Sequence, residues 1–276
     1  MIIYTCITNG YAELPTKMPT GPLYVCFGVQ NPPDPWVGGL LPDLDDPIRT
    51  SRYAKILCPF QQDSVYVDAT KLHLLNDSFV GLSECILNEN KFFVMQHPHK
   101  HTYLEECAEY VSRGWVDEET LINFTEQVKD AGFDFSKFFS PLCTILWRKE
   151  STPMDKLWWD WYNKGGIRDQ LAFSVSLQLS KMKFEYEPAR DLLNNFTDAE
   201  PDGVWWNNRA GDYQYCDKKD PDDFVNKLCE ITGLKKMFRY RAAVFTKTGQ
   251  LVLGDRGKYW PKDYHSLDVI SGRRNH

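Results

Sequence analysis

Short apolar runs rich in β-branched and aromatic residues alternate with segments of helical period through about residue 185, which confines the chain to an α/β sheet architecture. Residues 2–7, 23–27, 64–68, 92–96 and 142–147 read as strands, and 102–112, 117–131, 155–162 and 169–182 as helices. Asp117, Glu118 and Glu119 put acids in a first turn, and Leu121, Phe124 and Val128 fall on one face. The Pro- and Gly-rich stretch 28–48 reads as a loop near a ligand, and 53–57 as a helix end or the start of a strand. Beyond a long polar and aromatic loop over 194–222, a helix near 222–232 and two strands, 242–246 and 250–253, close the chain. The expected organisation is a nucleotide-binding catalytic core over 1–185, with an acceptor-side loop and a basic C-terminal subdomain over 186–276.

Several classes fall away. No apolar run reaches 18 residues, so no membrane span is expected. The first residues read as a strand and not as a signal peptide, which makes the cytoplasm the expected compartment. The eight Cys form no Cys-x-x-Cys pair, and free, buried thiols are expected. No Gly-x-Gly-x-x-Gly follows a strand, and neither a P-loop nor a Gly-x-Ser-x-Gly elbow is present.

Four constellations carry possible chemistry. Asp68 ends a strand, where an α/β sheet places ligand-binding groups, and with substrate phosphates it is a candidate for holding Mn²⁺ or Mg²⁺; the plain alternative is an Asp that ends a strand. Arg49, Arg52 and Lys55 follow at i, i+3 and i+6, a spacing that on a helix lines one face and suits a diphosphate clamp, or else an exposed basic turn. His97, His99 and His101 alternate as a zinc-binding strand would, although Pro98 interrupts them; His97 reads better as a polar group over a substrate site, with Glu105 and Glu106 starting a helix behind it. Trp158, Trp159 and Trp161 precede Gly165-Gly166 and then Arg168-Asp169-Gln170, which offers sugar-stacking faces beside hydrogen-bonding groups, or a core cluster with Asp169 as a helix cap.

The order of these motifs is more specific than any one of them. Tyr4-Thr5-Cys6-Ile7-Thr8-Asn9-Gly10-Tyr11, Tyr24-Val25-Cys26-Phe27, Arg52-x-x-Lys55 with Pro59, Tyr66-x-Asp68, His97-Pro98-x-Lys100 with Glu105-Glu106, Trp158-Trp159 and Arg168-Asp169-Gln170-Leu171-x-Phe173 follow one another over residues 1–180. That series resembles the TOD/MUCI-type glycosyltransferase-like domain family. The resemblance implies a GT-A fold, with a Rossmann-like nucleotide-binding half, a mixed central sheet and here a C-terminal basic extension. It implies Thr8, Asn9 and Tyr11 against the nucleotide, Arg52 and Lys55 at the diphosphate, and Asp68 on the divalent cation. Lys100 and Gln170 join the donor-binding set, while His97, Glu106, Arg168 and Asp169 surround the reacting sugar, with Asp169 closest. Gly28-Val29 stand where the family carries Thr-Asp, and Phe60 where it carries His.

The acceptor is read from charge. The chain carries −6 overall, yet residues 231–276 hold ten Lys and Arg against three Asp, so that segment is about +7 and the remainder about −13. Its cations, among them Lys235, Lys236, Arg239 and Arg241, are interleaved with Phe238, Tyr240, Phe245, Tyr259, Trp260 and Tyr264, the composition that grips phosphate backbones and unstacked bases. With Trp158 and Trp159 these form the expected acceptor side. The expectation is a hexosyl- or pentosyltransferase whose acceptor is nucleic acid, for instance a hydroxymethylated pyrimidine of viral DNA flipped from its stack. A cytoplasmic glycan or small-molecule acceptor, a nucleotide-sugar-binding protein without turnover, and a metal hydrolase built on the three His stand as alternatives.

Overall fold

The structure is a computed structural model that describes residues 1–42, 44, 46–97, 102–112, 114–165, 168–188, 222–234, 241–245 and 251–255. The chain divides into two compact units, Met1–His99 with Phe139–Asp198, and Lys100–Phe138 with Ala199–His276.

The first unit is built on a seven-stranded sheet. Its strands are β1 (Ile2–Cys6), β2 (Leu23–Phe27), β3 (Trp36–Gly39), β4 (Ser64–Val67), β5 (Phe92–Gln96), β6 (Pro141–Arg148) and β7 (Glu185–Pro188), in the spatial order β3-β2-β1-β4-β6-β5-β7. β3, β2, β1 and β4 are mutually parallel, β6 runs antiparallel to both β4 and β5, and β7 is parallel to β5. This is a mixed α/β sheet with a Rossmann-like parallel half. Every residue of β1 and β4 is buried, as expected of parallel strands covered on both faces.

Helices α1 (Pro47–Leu57), α2 (Asp77–Glu89), α5 (Pro153–Gly165) and α6 (Asp169–Ser180) belong to this unit. Successive residues of β6 show how they are layered, because neighbours on a strand point to opposite faces. Trp147 points to α2, where its Nε1 donates to Ser83 Oγ at 2.9 Å and its ring stacks near Phe79. Arg148 points the other way, between the rings of Phe92 and Trp158, where α1, α5 and α6 pack. A 3₁₀ turn, Ala69–Leu74, follows β4.

The second unit holds α3 (Tyr103–Ser112), α4 (Glu118–Asp130) and α7 (Asp222–Thr232), with the antiparallel hairpin β8 (Arg241–Phe245) and β9 (Leu251–Asp255). Tyr103 centres its core, its ring against Phe133, Phe135 and Phe138 and its hydroxyl 2.9 Å from Thr125 Oγ1. α7 packs Phe224, Val225 and Leu228 as its buried stripe and contacts α3 and α4. The N-terminus of α3 is a capping box: Thr102 N donates to Glu105 Oε2 at 3.0 Å, and Glu105 N donates to Thr102 Oγ1 at 3.2 Å.

One expectation changes. The stretch 28–48 is not loop throughout, since Trp36–Gly39 forms edge strand β3 and Asp46 caps α1 by accepting from Ile48 N at 2.8 Å. The strand that approaches the histidines stops at Gln96, so His97 lies beyond it; His99 and His101 lie outside the described residues. Cys6, Cys26, Cys58, Cys107 and Cys143 are buried thiols, and burial followed by the neighbouring Cys26 pushes the Cys6 thiol up to about 12. Among the described residues, no helix is long and apolar enough to cross a membrane.

Candidate functional site

In a parallel sheet the carboxyl ends of the strands open toward ligands. Here Cys6 pairs with Phe27, and Tyr4 with Tyr66, so β1, β2 and β4 end along one edge. Beyond β1 the chain turns through Asn9 (φ +58°) and Gly10 (φ +62°), and Tyr11 folds back to donate its hydroxyl to Cys6 O at 3.0 Å. Thr8 Oγ1 donates to Pro47 O at 3.0 Å, tying this turn to the first residue of α1. Gly28, after β2, has φ +83°, and a Cβ there would lie 2.3 Å from Ile7 O. A side chain at position 28 therefore has no room on this backbone. Thr8, Asn9, Tyr11 and Gly28 thus border the same edge as Asp68.

Asp68 begins the 3₁₀ turn and accepts from Thr70 N at 3.1 Å and Thr70 Oγ1 at 3.0 Å, both through Oδ1. It is half-buried and within electrostatic reach of Arg52 and Lys71. Lys71 is buried three residues on; burial lowers its pKa and Asp68 opposes the shift. Sequence reasoning passed over this lysine, although its spacing from Asp68 was a usable signal. Among the described residues, no three His, Cys, Asp or Glu side chains gather as a metal cluster. A divalent ion at Asp68 would hold one carboxylate and draw its other ligands from substrate phosphates and water, a pattern Mg²⁺ tolerates.

The second focus is Asp169, the first residue of α6, preceded by Arg168 at the N-cap. Its carboxylate is buried, with Lys55 Nζ on Oδ2 and Arg52 Nε 3.5 Å from Oδ1. Burial disfavours its charge, but Arg52 and then Lys55 outweigh burial and hold the carboxyl well below the usual range. For Arg52 the balance is similar: burial opposes its charge, while Asp169, with Tyr66 and Asp68, keeps it firmly protonated. Lys55 also lies 5.5 Å from the Tyr66 ring centroid. The three cations of α1 thus differ in depth: Lys55 is inside, Arg52 is partly covered and Arg49 is exposed.

The two tryptophans part company. Trp158 is wholly buried; its Nε1 donates to Asp169 O at 2.9 Å and its ring meets Phe173 edge-on, so it presents no face to a ligand. Trp159 is half-exposed, stacked on Tyr162, edge-on to Tyr53, and covered by the Arg49 guanidinium at 5.7 Å. Gln170 is half-buried at the start of α6. His97 is buried, its N–H donating to Ser140 O at 2.9 Å, in the first unit, whereas Glu106, wholly buried on α3, belongs to the second. Lys100, Lys235, Lys236 and Arg239 lie outside the described residues, and Arg241 is described only as the backbone that opens β8. The structure therefore assembles Asp169, Arg52, Lys55 and Arg168 as one cluster, with Asp68 in electrostatic range of Arg52.

Below this cluster lies a buried pair the sequence did not signal. Arg148 Nη2 stands 3.8 Å from Asp155 Oδ1, while Nη1 donates to Lys55 O at 2.9 Å and Tyr4 Oη at 3.3 Å. Burial raises the Asp155 pKa, and Arg148 only partly offsets it.

No protein family's sequence profile matches this chain, and no curated protein matches it. Among solved structures, the bifunctional IspDF from Campylobacter jejuni aligns with 10% identity at a TM-score of 0.30, over 71% of this chain and 50% of that one. The chain thus spans half the length of that protein.

Proposed function

We propose that the chain is a GT-A-type glycosyltransferase that takes a sugar from a nucleotide-diphosphate donor seated over the carboxyl ends of β1, β2 and β4. The observation that supports it best is the convergence there of Asp68 with Arg52, a guanidinium kept charged and oriented by a buried carboxylate. Thr8, Asn9 and the turn held by Tyr11 line the nucleotide side of the same edge. In transfer, the bond from the anomeric carbon to the diphosphate oxygen breaks and one to an acceptor hydroxyl oxygen forms, the hydroxyl proton passing to water or to the departing diphosphate, so negative charge grows on the leaving diphosphate. Arg52 would stabilise that charge. Asp68 would hold the divalent cation, Mn²⁺ or Mg²⁺, which when bound neutralises the same phosphates. Asp169, its proton affinity lowered by two cations, is a poor base, and its role is to position Arg52. The acceptor reading rests on the sequence of residues 231–276, whose cations and aromatics suit a nucleic-acid strand.

The test is a thermal-shift screen of nucleotides and nucleotide sugars with and without Mn²⁺, followed by an assay of donor hydrolysis and transfer. A donor at 100 times its Kd should add about 2.7 kcal/mol and raise the midpoint by several degrees. If no nucleotide or nucleotide sugar moves the midpoint, the proposal fails.

A further inference from the structure

The geometry points to a stepped diphosphate site on the outer face of α1, made by Arg49 and Arg52 and kept in shape by Trp159 and Asp169. This rests on the donor reading above and deepens it, because it names the outer contact and the residue that positions it. Arg49 and Arg52 are one turn apart and so neighbours on the same helical face. Each guanidinium is fixed from behind by a different partner. Asp169 takes Nε of Arg52, and the side chain keeps 18% exposure. Arg49 lies across the half-exposed face of Trp159, itself backed by Tyr162 and braced edge-on by Tyr53.

A guanidinium on an indole face retains its in-plane N–H fork, so stacking orients the donors without consuming them. Charge at the inner step favours an anion as well. Arg52, Lys55 and Arg168 face two carboxylates, Asp169 and, within reach of Arg52, Asp68, which still leaves an excess of positive charge. Among the described acids at these helices, Asp46 accepts from Ile48 N and Asp160 pairs with Lys156 at 2.7 Å. Two oriented, charged forks in sequence suit a ligand with two adjacent anionic groups, and the donor's diphosphate is such a ligand. Trp159 is thereby a positioning residue that acts through Arg49.

The experiment is calorimetric titration of the full chain with inorganic pyrophosphate, at low and high salt. Arg49→Gln should weaken binding about tenfold, as for loss of one charge-assisted contact. Trp159→Leu should weaken it by less, about threefold, with Arg49 still present, and Trp159→Phe should restore most of it because a phenyl face also holds a cation. Lys91→Gln, which removes an exposed charge from the turn before β5, should leave the affinity unchanged. Pyrophosphate should also compete with whichever nucleotide sugar raises the melting midpoint. Equal affinity in wild type and Arg49→Gln, equal weakening by Lys91→Gln, or simultaneous binding of pyrophosphate and nucleotide sugar each overturns the inference. Arg49-dependent pyrophosphate binding without any response to nucleotide sugars would leave this anion site standing and remove the glycosyltransferase reading instead.

Discussion

Lys55 and Asp169 stand 114 residues apart and meet as a buried ion pair that fastens the last turn of α1 to the first residue of α6. A buried carboxylate with two cations on it is satisfied only while all three are present. Asp169→Asn is therefore expected to destabilise the fold by about 3–5 kcal/mol, because it leaves uncompensated charge inside. The pair also sets an acid limit. The folded carboxyl binds its proton less readily than the unfolded one, so its contribution is complete above the unfolded value of about 3.9 and is lost as pH falls below it. Urea midpoints measured from pH 7 down to pH 3 should decline in this window, and the decline should be smaller in Lys55→Met.

Arg148 and Asp155 should respond in the opposite sense. Their separation of 3.8 Å is long for a hydrogen bond, and Arg148 Nη2 and Asp155 Oδ1 are both buried with no hydrogen-bond partner among the described residues. Arg148→Met strands Asp155 and is expected to destabilise by about 3–5 kcal/mol, whereas the double change Arg148→Met with Asp155→Leu should recover much of that. The Asp155 carboxyl is already raised by burial, so in Arg148→Met the folded state holds the proton more tightly than the unfolded chain. That variant should gain stability relative to wild type as pH falls from 7 toward 5. Chemical denaturation at the two pH values reads the sign directly.

What was legible in the chain follows from how local each signal is. Strands β2 and β5 and helix α4 were readable because compact apolar runs and the Asp117 cap are confined to a few neighbouring residues. Helix α2 was missed because Gly81 and Ser83 break up the stripe of Phe79, Val80, Ile86 and Leu87, even though Asn76 caps it by accepting from Phe79 N. β3 was hidden among prolines with two glycines in four residues, and β7 has two glutamates in four. Arg52, Lys55 and Asp169 could each be named as site residues, but not as partners of one another, since no periodicity links positions so far apart. Nor could sequence separate Trp158 from Trp159: adjacent residues on a helix face different ways, and only packing shows which is core.

Gly28 and Gly10 offer a paired test of the edge. Both have positive φ, but a Cβ at Gly10 meets nothing within 4 Å, whereas one at Gly28 meets the Ile7 carbonyl. Gly10→Ala should carry only the backbone term, about 1 kcal/mol. Gly28→Ala adds a backbone clash to strain of about 1–3 kcal/mol, so it should melt distinctly lower and bind donor more weakly. Calorimetric melting with and without nucleotide sugar measures both effects.

Asp68 separates capping from chemistry. Asn in its place still accepts from Thr70 N and so preserves the turn, but it removes the charge a divalent ion needs. Asp68→Asn is expected to keep the wild-type melting point within about 1 kcal/mol of stability while transfer falls about a hundredfold or more. Chelation of wild type should reproduce that loss, and added Mn²⁺ should restore wild type far better than the variant. Native-rate transfer by the variant would remove Asp68 from the donor site.

The acceptor is tested through salt. Lys235, Lys236, Arg239 and Arg241 lie within the basic segment, and each phosphate contact they made on a nucleic-acid strand would release counterions. For single strands the log of affinity should then fall against log salt by about 0.7 per contact. Replacing all four with Gln should weaken binding of a DNA oligonucleotide and flatten that slope by up to about three units, whereas Arg52→Gln, on the proposed donor side, should leave the slope unchanged. Gel-shift titrations at three salt concentrations give both numbers. Binding that ignores salt and these four changes would turn the search toward glycan or small-molecule acceptors.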